Sequence, residues 1–208
     1  MERRDVDELI ILDVSATPNS RGPRFEEVTQ LCENLFMPVT IGGGVRHVGD
    51  FKRLLAGGAD KVACCTGFLE RPEFITEASE KFGAQAVVAA IDVKSHSLWA
   101  RCGSRQIERT PVEWAQEVEA RGAGEILLTS IERDGMLNGY DLDLIRSVAD
   151  AVDIPVIAAG GCGSYVHLEE AFNAGAHAVA VGAAFQFTEA TPRGAARYLH
   201  EQGFQVRL

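Results

Sequence analysis

The chain has 208 residues, of which 46% are hydrophobic and 24% are charged, and its formal net charge at pH 7 is -10. This length and apolar content predict one domain with a sizeable core. The acidic charge argues against a nucleic-acid-binding protein, because such proteins need a basic face toward phosphate. No apolar run is long enough for a membrane span and no apolar signal region follows Met1, so we expect a cytoplasmic protein without membrane contact.

Strands and helices alternate along the whole chain. Short apolar runs, typical of strands buried on both faces, end in polar or glycine-rich turns, and a segment with helical periodicity follows each run. The predicted strands are 8–14, 37–42, 60–65, 86–92, 125–131, 154–160 and 177–183. A two-stranded excursion around residues 98–100 and 106–107 interrupts the alternation after the fourth strand.

The helices are predicted from different signals. The first helix is predicted from apolar residues at i, i+3, i+4 and i+7, which are Val28, Leu31, Cys32 and Leu35. A capping box with proline at the first helical position, residues 110–113, starts the helix after the excursion. Further helices are predicted at 141–152, 165–174 and 192–202.

The second half of the chain repeats the first at an offset of 117 residues. The shift takes Gly43-Gly44 to Gly160-Gly161, and Pro38-Val39 to Pro155-Val156. An offset that keeps glycine and proline in register over about sixty residues indicates two halves of one architecture.

Seven strands, each followed by a helix, predict a parallel α/β architecture, which an open doubly wound sheet and a closed barrel would both satisfy. The repeat favours a barrel of two half-barrels that forms a single domain over residues 1–208. In the first half, the counterparts of strand 86–92 and of the helix after it would lie before Met1. The offset therefore predicts a (βα)8 TIM barrel with about seven βα units in this chain.

Functional groups of parallel α/β folds lie at the carboxyl ends of the strands, where glycine turns and helix N-termini bind anions. At these ends the chain has Asp13, Gly44, Cys65, Thr66, Asp92, Thr129, Ser130, Asp134, Gly135, Gly161, Gly182 and Ala183. The glycine turns form pairs related by the repeat, which predicts two phosphate sites at opposite rims. The alternative is that the glycines only permit tight turns.

Asp92 ends an apolar strand, where an isolated carboxylate is costly unless it has a partner or a function. Burial there would raise its pKa and make it a general acid. The alternative roles are helix capping or an ion pair with Lys94. Asp13 and Asp134 occupy similar positions, but each lies beside a polar loop.

Three charged residues, Glu8, Lys61 and Glu125, start predicted strands and would therefore lie at the opposite rim. Their pattern alone favours a ring of salt bridges that closes the bottom of the barrel. None of the five histidines ends a strand at the catalytic rim, and the five cysteines lack the spacing of a zinc site. We therefore expect no metal site and no cofactor.

The order of these motifs resembles the cyclase-subunit family of imidazole glycerol phosphate synthase, from histidine biosynthesis. The resemblance extends from Asp5 to Leu208 and rests on the segments DELIILDVSAT, MPVTIGGGVR, GADKV, VVAAIDVK, GAGEILLTSIERDGMLNGYD, IPVIAAGG and VRL. It implies a cytoplasmic lyase with a TIM barrel of the ribulose-phosphate-binding type. Such an enzyme forms a heterodimer with a glutaminase, whose ammonia it uses. Its substrate is a phosphoribulosyl aminoimidazole-carboxamide nucleotide, and its products are imidazole glycerol phosphate and an aminoimidazole-carboxamide ribotide.

The resemblance also implies roles for the site residues. It makes Asp92 the catalytic acid, with Asp13 and Asp134 as further polar groups at the reaction centre. Substrate would be held by two phosphate turns and the end of the fifth strand, that is by Gly44, Cys65, Thr66, Thr129, Ser130, Gly135, Gly161, Gly182 and Ala183. The charged residues of the opposite rim, Glu8, Lys61 and Glu125, would surround the ammonia entrance.

The chain differs from the family pattern in two respects. The strand with the family's general-base aspartate would precede Met1. Where the family usually has Asn, Thr and Ser near the phosphates, this chain has Cys65, Met136 and Ala183. Two alternatives to the cyclase therefore stay open. One is an ammonia-dependent enzyme that amidates a sugar in surface-polysaccharide synthesis, and the other is a catalytically impaired barrel that binds phosphate ligands.

Overall fold

The computed structural model describes residues 6–207. Its strands are β1 Leu9–Leu12, β2 Val39–Gly42, β3 Lys61–Cys64, β4 Val87–Lys94, β5 Ser97–Ala100, β6 Arg105–Ile107, β7 Glu125–Ser130, β8 Val156–Ala159 and β9 Ala178–Val179. Its α-helices are α1 Phe25–Cys32, α2 Val48–Ala56, α3 Thr66–Glu70, α4 Glu73–Phe82, α5 Pro111–Ala120, α6 Leu142–Ala149, α7 Tyr165–Asn173, α8 Ala183–Phe187 and α9 Pro192–Glu201. None of these helices is both long and apolar enough to cross a membrane.

The seven parallel strands lie side by side in the order β1-β2-β3-β4-β7-β8-β9, and helices connect each strand to the next one along the sheet. This arrangement confirms the predicted α/β fold of the TIM-barrel type, with seven βα units in the described range. The antiparallel pair β5–β6 extends from β4 as a hairpin. Among residues 6–207, β1 and β9 are the outer strands, and no ladder joins them.

The strand residues separate into two apolar layers. A large cluster packs the strands against the helices and includes Phe51, Phe74 and Trp114. A second, smaller cluster lies on the inner face of the sheet, and its buried members are Ala63, Val88, Ala90, Leu127 and Ile157. Successive strand residues point to opposite faces, so the alternate positions of one strand line the interior of the barrel.

The predicted strand 177–183 is wrong over most of its length. Only Ala178–Val179 is a strand, and Gly182 precedes the short helix α8. β9 has a single ladder neighbour, β8, among the described residues, and an outer strand with one partner gains fewer backbone hydrogen bonds. The helix α3, which follows β3 in the same way, is also absent from the sequence prediction.

The inward face predicted for the first helix is wrong at its C-terminal end. α1 ends at Cys32, Leu31 is 42% exposed, and no residue of α1 is fully buried. The helix follows the outer strand β1 and lies beside α2, where the Arg53 guanidinium is 3.5 Å from the centre of the Phe25 ring. A helix with a neighbour on one side has a narrower buried face than the sequence spacing predicts.

The bounds of the elements follow the 117-residue offset. Shifted by 117 positions, α1, α2 and α3 coincide residue for residue with α6, α7 and α8, and β2 coincides with β8. The division of residues 1–208 into two half-barrels of one domain stays a prediction, and the coincident bounds are the structural observation that agrees with it.

Candidate active site

Side chains on the inner face of the sheet form layers from the amino ends to the carboxyl ends of the strands. The same strands supply the first and the last layer, because alternate residues share a face. Lys61, the first residue of β3, lies in the first layer, and Cys65, the residue after β3, lies in the last layer. On β7 the corresponding residues are Glu125 and Thr129. Asp92 is the Cα partner of Thr129 across the β4–β7 ladder. The predicted acid therefore lies in the layer at the carboxyl ends, on the central strand of the seven.

Asp92 is half-buried and has an unusual proton affinity for a carboxyl group. Burial raises its pKa to about 6, and the negative charge of Asp134 acts in the same direction. A hydrogen bond from the Cys65 thiol lowers the pKa of Asp92 in part. The same thiol donates to the Trp99 carbonyl oxygen at 3.7 Å. A carboxyl group that stays partly protonated near neutral pH is suited to general-acid chemistry.

The alternative partner of Asp92 is engaged elsewhere. The Lys94 ammonium lies 5.4 Å from the centre of the Trp99 ring, and no ion pair joins Lys94 to Asp92 within residues 6–207. The indole N–H of Trp99 donates to the Lys94 carbonyl oxygen at 3.0 Å. These contacts keep Lys94 beside the hairpin, so an ion pair does not account for the position of Asp92.

Asp13 is in a very different environment. Its carboxylate accepts hydrogen bonds from the Ser15 hydroxyl at 2.6 Å and from the Arg21 guanidinium at 2.8 Å. The Ser15 hydroxyl and then Arg21 lower the pKa of Asp13 to about 2. This carboxylate is therefore an anion at neutral pH with most of its acceptor sites in use. Its geometry suits the ordering of the loop after β1 better than proton transfer.

Asp134 lies in the exposed loop after β7. Its backbone N–H donates to the Ser130 carbonyl oxygen at 3.1 Å. The negative charge of its side chain is one cause of the raised pKa of Asp92. Of the three predicted carboxylates, Asp134 therefore lies close enough to Asp92 to affect its pKa, whereas Asp13 forms an ion pair with Arg21.

The first glycine turn is tightly packed. Gly44 has a φ of +71°, and a Cβ atom there would lie 2.6 Å from the Arg21 carbonyl oxygen, so only glycine fits. The Thr66 hydroxyl accepts a hydrogen bond from the backbone N–H of Arg101 at 2.9 Å. The hairpin after β4 therefore covers this turn.

The second glycine turn is tightly packed at Gly161 and open at Gly135 and Gly182. Gly161 has a φ of +110° and lies against the backbone of Gly139, whose N–H donates to the Gly161 carbonyl oxygen at 2.8 Å. A Cβ atom added at Gly135 or Gly182 would meet nothing within 4 Å. Ala183, the residue after Gly182, starts α8. Space for a ligand group is therefore found at Gly135 and Gly182, which are exposed, whereas Gly161 is buried against Gly139.

The three charged residues at the amino ends meet as predicted from the strand starts. The Lys61 ammonium donates to Glu125 Oε1 at 2.6 Å and to Glu8 Oε2 at 3.0 Å. Burial acts to lower the pKa of Lys61, but the two carboxylates outweigh it and raise that pKa above its ordinary value. The other oxygen of Glu125, Oε2, is buried and has no hydrogen-bond partner among the described residues.

Comparison with known proteins identifies relatives of this chain. A family model described as "Histidine biosynthesis protein" matches residues 1–191. The chain is also 41% identical over 213 residues to the imidazole glycerol phosphate synthase subunit HisF of Clostridium botulinum (strain Okra / Type B1). That alignment covers 99% of this chain and 84% of the relative.

The chain belongs to the histidine biosynthesis family. This membership confirms the resemblance inferred from the motifs, and the TIM-barrel architecture agrees with it. In this member of the histidine biosynthesis family, the part of the chain that the structure describes contains no cluster of three His, Cys, Asp or Glu side chains that could hold a metal ion.

Sequence reasoning missed two groups near the site of this histidine biosynthesis protein. Arg21 is the only basic residue between Asp13 and Pro23, so its pairing with Asp13 could have been suspected. The hairpin tip, residues 101–104, has no comparable signal. Its approach to Thr66 depends on the tertiary course of the hairpin.

Proposed function

We propose that this chain is the cyclase subunit of imidazole glycerol phosphate synthase, acting in the cytoplasm in L-histidine biosynthesis. It would convert the phosphoribulosyl aminoimidazole-carboxamide nucleotide, with ammonia from a glutaminase subunit, to imidazole glycerol phosphate and an aminoimidazole-carboxamide ribotide. The observation that most supports this proposal is Asp92, a half-buried carboxyl group with a pKa of about 6 on the central strand of the sheet.

The position of Asp92 between the two glycine turns fits a substrate with a phosphate at each end. One turn follows β2 and β3, and the other follows β8 and β9, so β4 lies between them in the sheet. In the proposed complex, one phosphate binds near Gly44, Cys65 and Thr66. The other binds near Gly135, Gly161, Gly182 and Ala183, with Thr129 and Ser130 beside the substrate. The middle of such a substrate would pass Asp92.

The proposed chemistry assigns Asp92 the role of proton donor. Ammonia must add to a carbonyl carbon of the substrate, and the oxygen that leaves as water must receive a proton. A carboxyl group with a pKa near 6 can give that proton and recover it at neutral pH. Asp134, whose charge already reaches Asp92, would help to retain the proton on the acid. Asp13 would hold Arg21 and the loop after β1 in place.

The amino ends of the strands fit an entrance for ammonia. Lys61, Glu8 and Glu125 form the first interior layer, and the small side chains of Ala63 and Ala90 lie further along the interior. We place the glutaminase partner at this end of the barrel, so that ammonia would travel inside it toward Asp92. Glu125 Oε2 has no hydrogen-bond partner within residues 6–207, which leaves an acceptor for a group that enters there.

The experiment that tests this function is an assay of the purified chain with the synthetic nucleotide substrate and an ammonium salt as the nitrogen source. Formation of imidazole glycerol phosphate is followed by mass spectrometry, with Asp92→Asn as the matched variant. We expect turnover that falls by about 10²-fold or more in the variant, since general acids contribute about that factor. Tight binding of the substrate without turnover would favour the impaired phosphate-binding barrel instead.

A further inference from the structure

The β5–β6 hairpin leaves the wall of the barrel directly beside Asp92. Asp92 and Trp99 are partners in the antiparallel β4–β5 ladder. Leu98 and Ala100 of β5 are completely buried, so the base of the hairpin is fixed in the core. Its tip, residues 101–104, is exposed for the most part and lies outside the core.

The hairpin tip contacts loops that follow three different strands. The backbone N–H of Arg101 donates to Thr66 Oγ1 at 2.9 Å, after β3, and the Cys102 thiol donates to the Val14 carbonyl oxygen at 3.2 Å, after β1. A Cβ atom added at Gly103 would lie 3.3 Å from the Ile131 side chain, after β7. The tip therefore reaches residues at the carboxyl ends of β1, β3 and β7.

The backbone of the tip is held in a conformation that side chains disfavour. Arg101, Cys102 and Gly103 have φ values of +54°, +55° and +75°, and non-glycine residues keep such values where surrounding contacts impose them. Arg101 also forms an ion pair with Glu70, the last residue of α3. Its Oε1 accepts from Arg101 Nη2 at 2.7 Å and from Nε at 3.1 Å.

We propose that the ion pair between Glu70 and Arg101 latches the hairpin tip over the carboxyl ends of the strands and so keeps water away from Asp92. Glu70 and Arg101 are then positioning residues for the acid. Naming Asp92 as the acid rests on the proposed function, whereas the latch itself rests on the contacts of the tip. Arg105, 3.7 Å from the same Glu70 carboxylate, supports the latch from β6.

The surroundings of Asp92 explain why a latch on the hairpin tip would change the pKa of this carboxyl group. The titratable groups that face Asp92 are Cys65 after β3, Asp134 after β7 and Cys102 in the tip. Burial is the largest cause of the raised pKa of Asp92, ahead of the effects of Cys65 and Asp134. Release of the tip would admit water and bring the pKa back toward its ordinary value of 3.8.

The test uses the full chain and measures the pKa of Asp92 by carbon NMR of its labelled carboxyl group, which requires no turnover. The variants are Glu70→Gln and Arg101→Gln. The matched control is Glu77→Gln, because Glu77 forms a similar, similarly exposed ion pair with Arg71 at 2.7 Å and lies on α4. We expect the pKa to fall by about one unit in both latch variants and to stay unchanged in the control.

The two latch variants separate a latch from a simple effect of charge. Removal of the negative charge of Glu70 would lower the pKa of Asp92 through charge alone, whereas removal of the positive charge of Arg101 would raise it. A latch lowers the pKa in both variants. A pKa that rises or stays the same in Arg101→Gln overturns the proposal. The charge-reversed pair, Glu70→Arg with Arg101→Glu, should restore the parent value.

Failure of the latch and failure of the proposed function give different results. If the parent has no ammonia-dependent turnover but both variants lower the pKa of Asp92, the latch is supported and the cyclase assignment is wrong. If the parent is an active cyclase and both variants keep the parent pKa, the latch is wrong and the function stands.

Discussion

Asp60 and His177 lie 117 residues apart and accept equivalent backbone hydrogen bonds from the first residues of β2 and β8. The Val39 N–H donates to Asp60 Oδ2 at 2.8 Å, and the Val156 N–H donates to His177 Nδ1 at 3.3 Å. Both bonds satisfy the first N–H of a strand, where the ladder alone leaves it unpaired. The repeat has therefore kept the bond and changed the acceptor from a carboxylate to an imidazole.

A second pair of residues has changed in the same way. The Arg46 N–H donates to Asp50 Oδ2 at 2.9 Å, and the Gly163 N–H, 117 positions later, donates to His167 Nδ1 at 3.1 Å. Both bonds lie at the starts of equivalent helices, α2 and α7, and satisfy backbone N–H groups that the helix cannot pair. Local backbone geometry in the two halves is thus more alike than the residue types.

We expect Asp60 and His177 to contribute similarly to stability. Asp60→Ala and His177→Ala should each lower the free energy of unfolding by about 1 kcal/mol, since each leaves one backbone N–H without its partner. His177→Asp supplies the acceptor of the first half and should lose much less. Urea denaturation at neutral pH measures all three variants. Equal losses in His177→Ala and His177→Asp would contradict a shared role of the two acceptors.

Asp92→Asn should stabilise the chain as the pH rises, whatever it does to activity. The folded-state pKa of about 6 lies above the ordinary 3.8, so the fold favours the protonated carboxyl group. The stability from Asp92 is therefore complete below about pH 4 and is lost as the pH rises through about 6.

At pH 8 we expect Asp92→Asn to raise the free energy of unfolding by up to about 3 kcal/mol relative to the parent, as a shift of about two pKa units implies. At pH 4 the difference should be small. Denaturant unfolding of both proteins at the two pH values measures it. A variant that is less stable than the parent at pH 8 would count against a strained, half-buried carboxylate.

Gly182 offers a direct test of the second phosphate turn. A side chain at Gly161 would collide with the backbone of Gly139, so substitution there would disturb the fold as well as the site. At Gly182 an added Cβ meets nothing within 4 Å. Gly182→Asp should weaken the binding of a bis-phosphate ligand at least about tenfold, because a carboxylate would face an anion.

The matched control for this test is Gly182→Asn, which adds a side chain of the same shape without the charge. Calorimetric titration with the same bis-phosphate ligand measures both variants. We expect Gly182→Asn to retain most of the affinity. Equal loss in both variants would indicate that side-chain volume, and not charge, disturbs the turn, and the phosphate assignment would then be wrong.

The outer strands β1 and β9 predict association of the 208-residue chain. An unpaired strand edge with apolar side chains is a template for pairing with another chain. Leu12, at the end of β1, is 43% exposed. Light scattering after size-exclusion chromatography should show a dimer or larger species, and Leu12→Lys should reduce it. The control is Phe36→Lys, since Phe36 is 88% exposed but lies outside the strands.

The positions of several residues of the candidate site could be predicted, because they depend only on the alternation of residues along single strands. The alternation through Val88, Ala90 and Asp92 requires only that successive strand residues face opposite sides, and it places the carboxyl group inside the barrel. The same alternation places Lys61 and Glu125 inside the barrel at the amino ends of the strands, where they form an ion pair. The length of β9 and the exposure of Leu31 could not be predicted, since both depend on how many neighbours an outer element has.

The sequence by itself determined the alternation of strands and helices, the repeat of 117 residues and the strand end at which Asp92 lies, because periodicity and glycine positions act over a few residues. Only the tertiary structure decided how the pKa of Asp13 and the pKa of Asp92 differ. Arg21 forms an ion pair with Asp13, whereas half-buried Asp92 has no ion pair among residues 6–207. It also decided that Arg101 reaches Thr66, 35 residues away, since that contact depends on a left-handed turn and on the packing of the hairpin, which no pattern of residue types encodes.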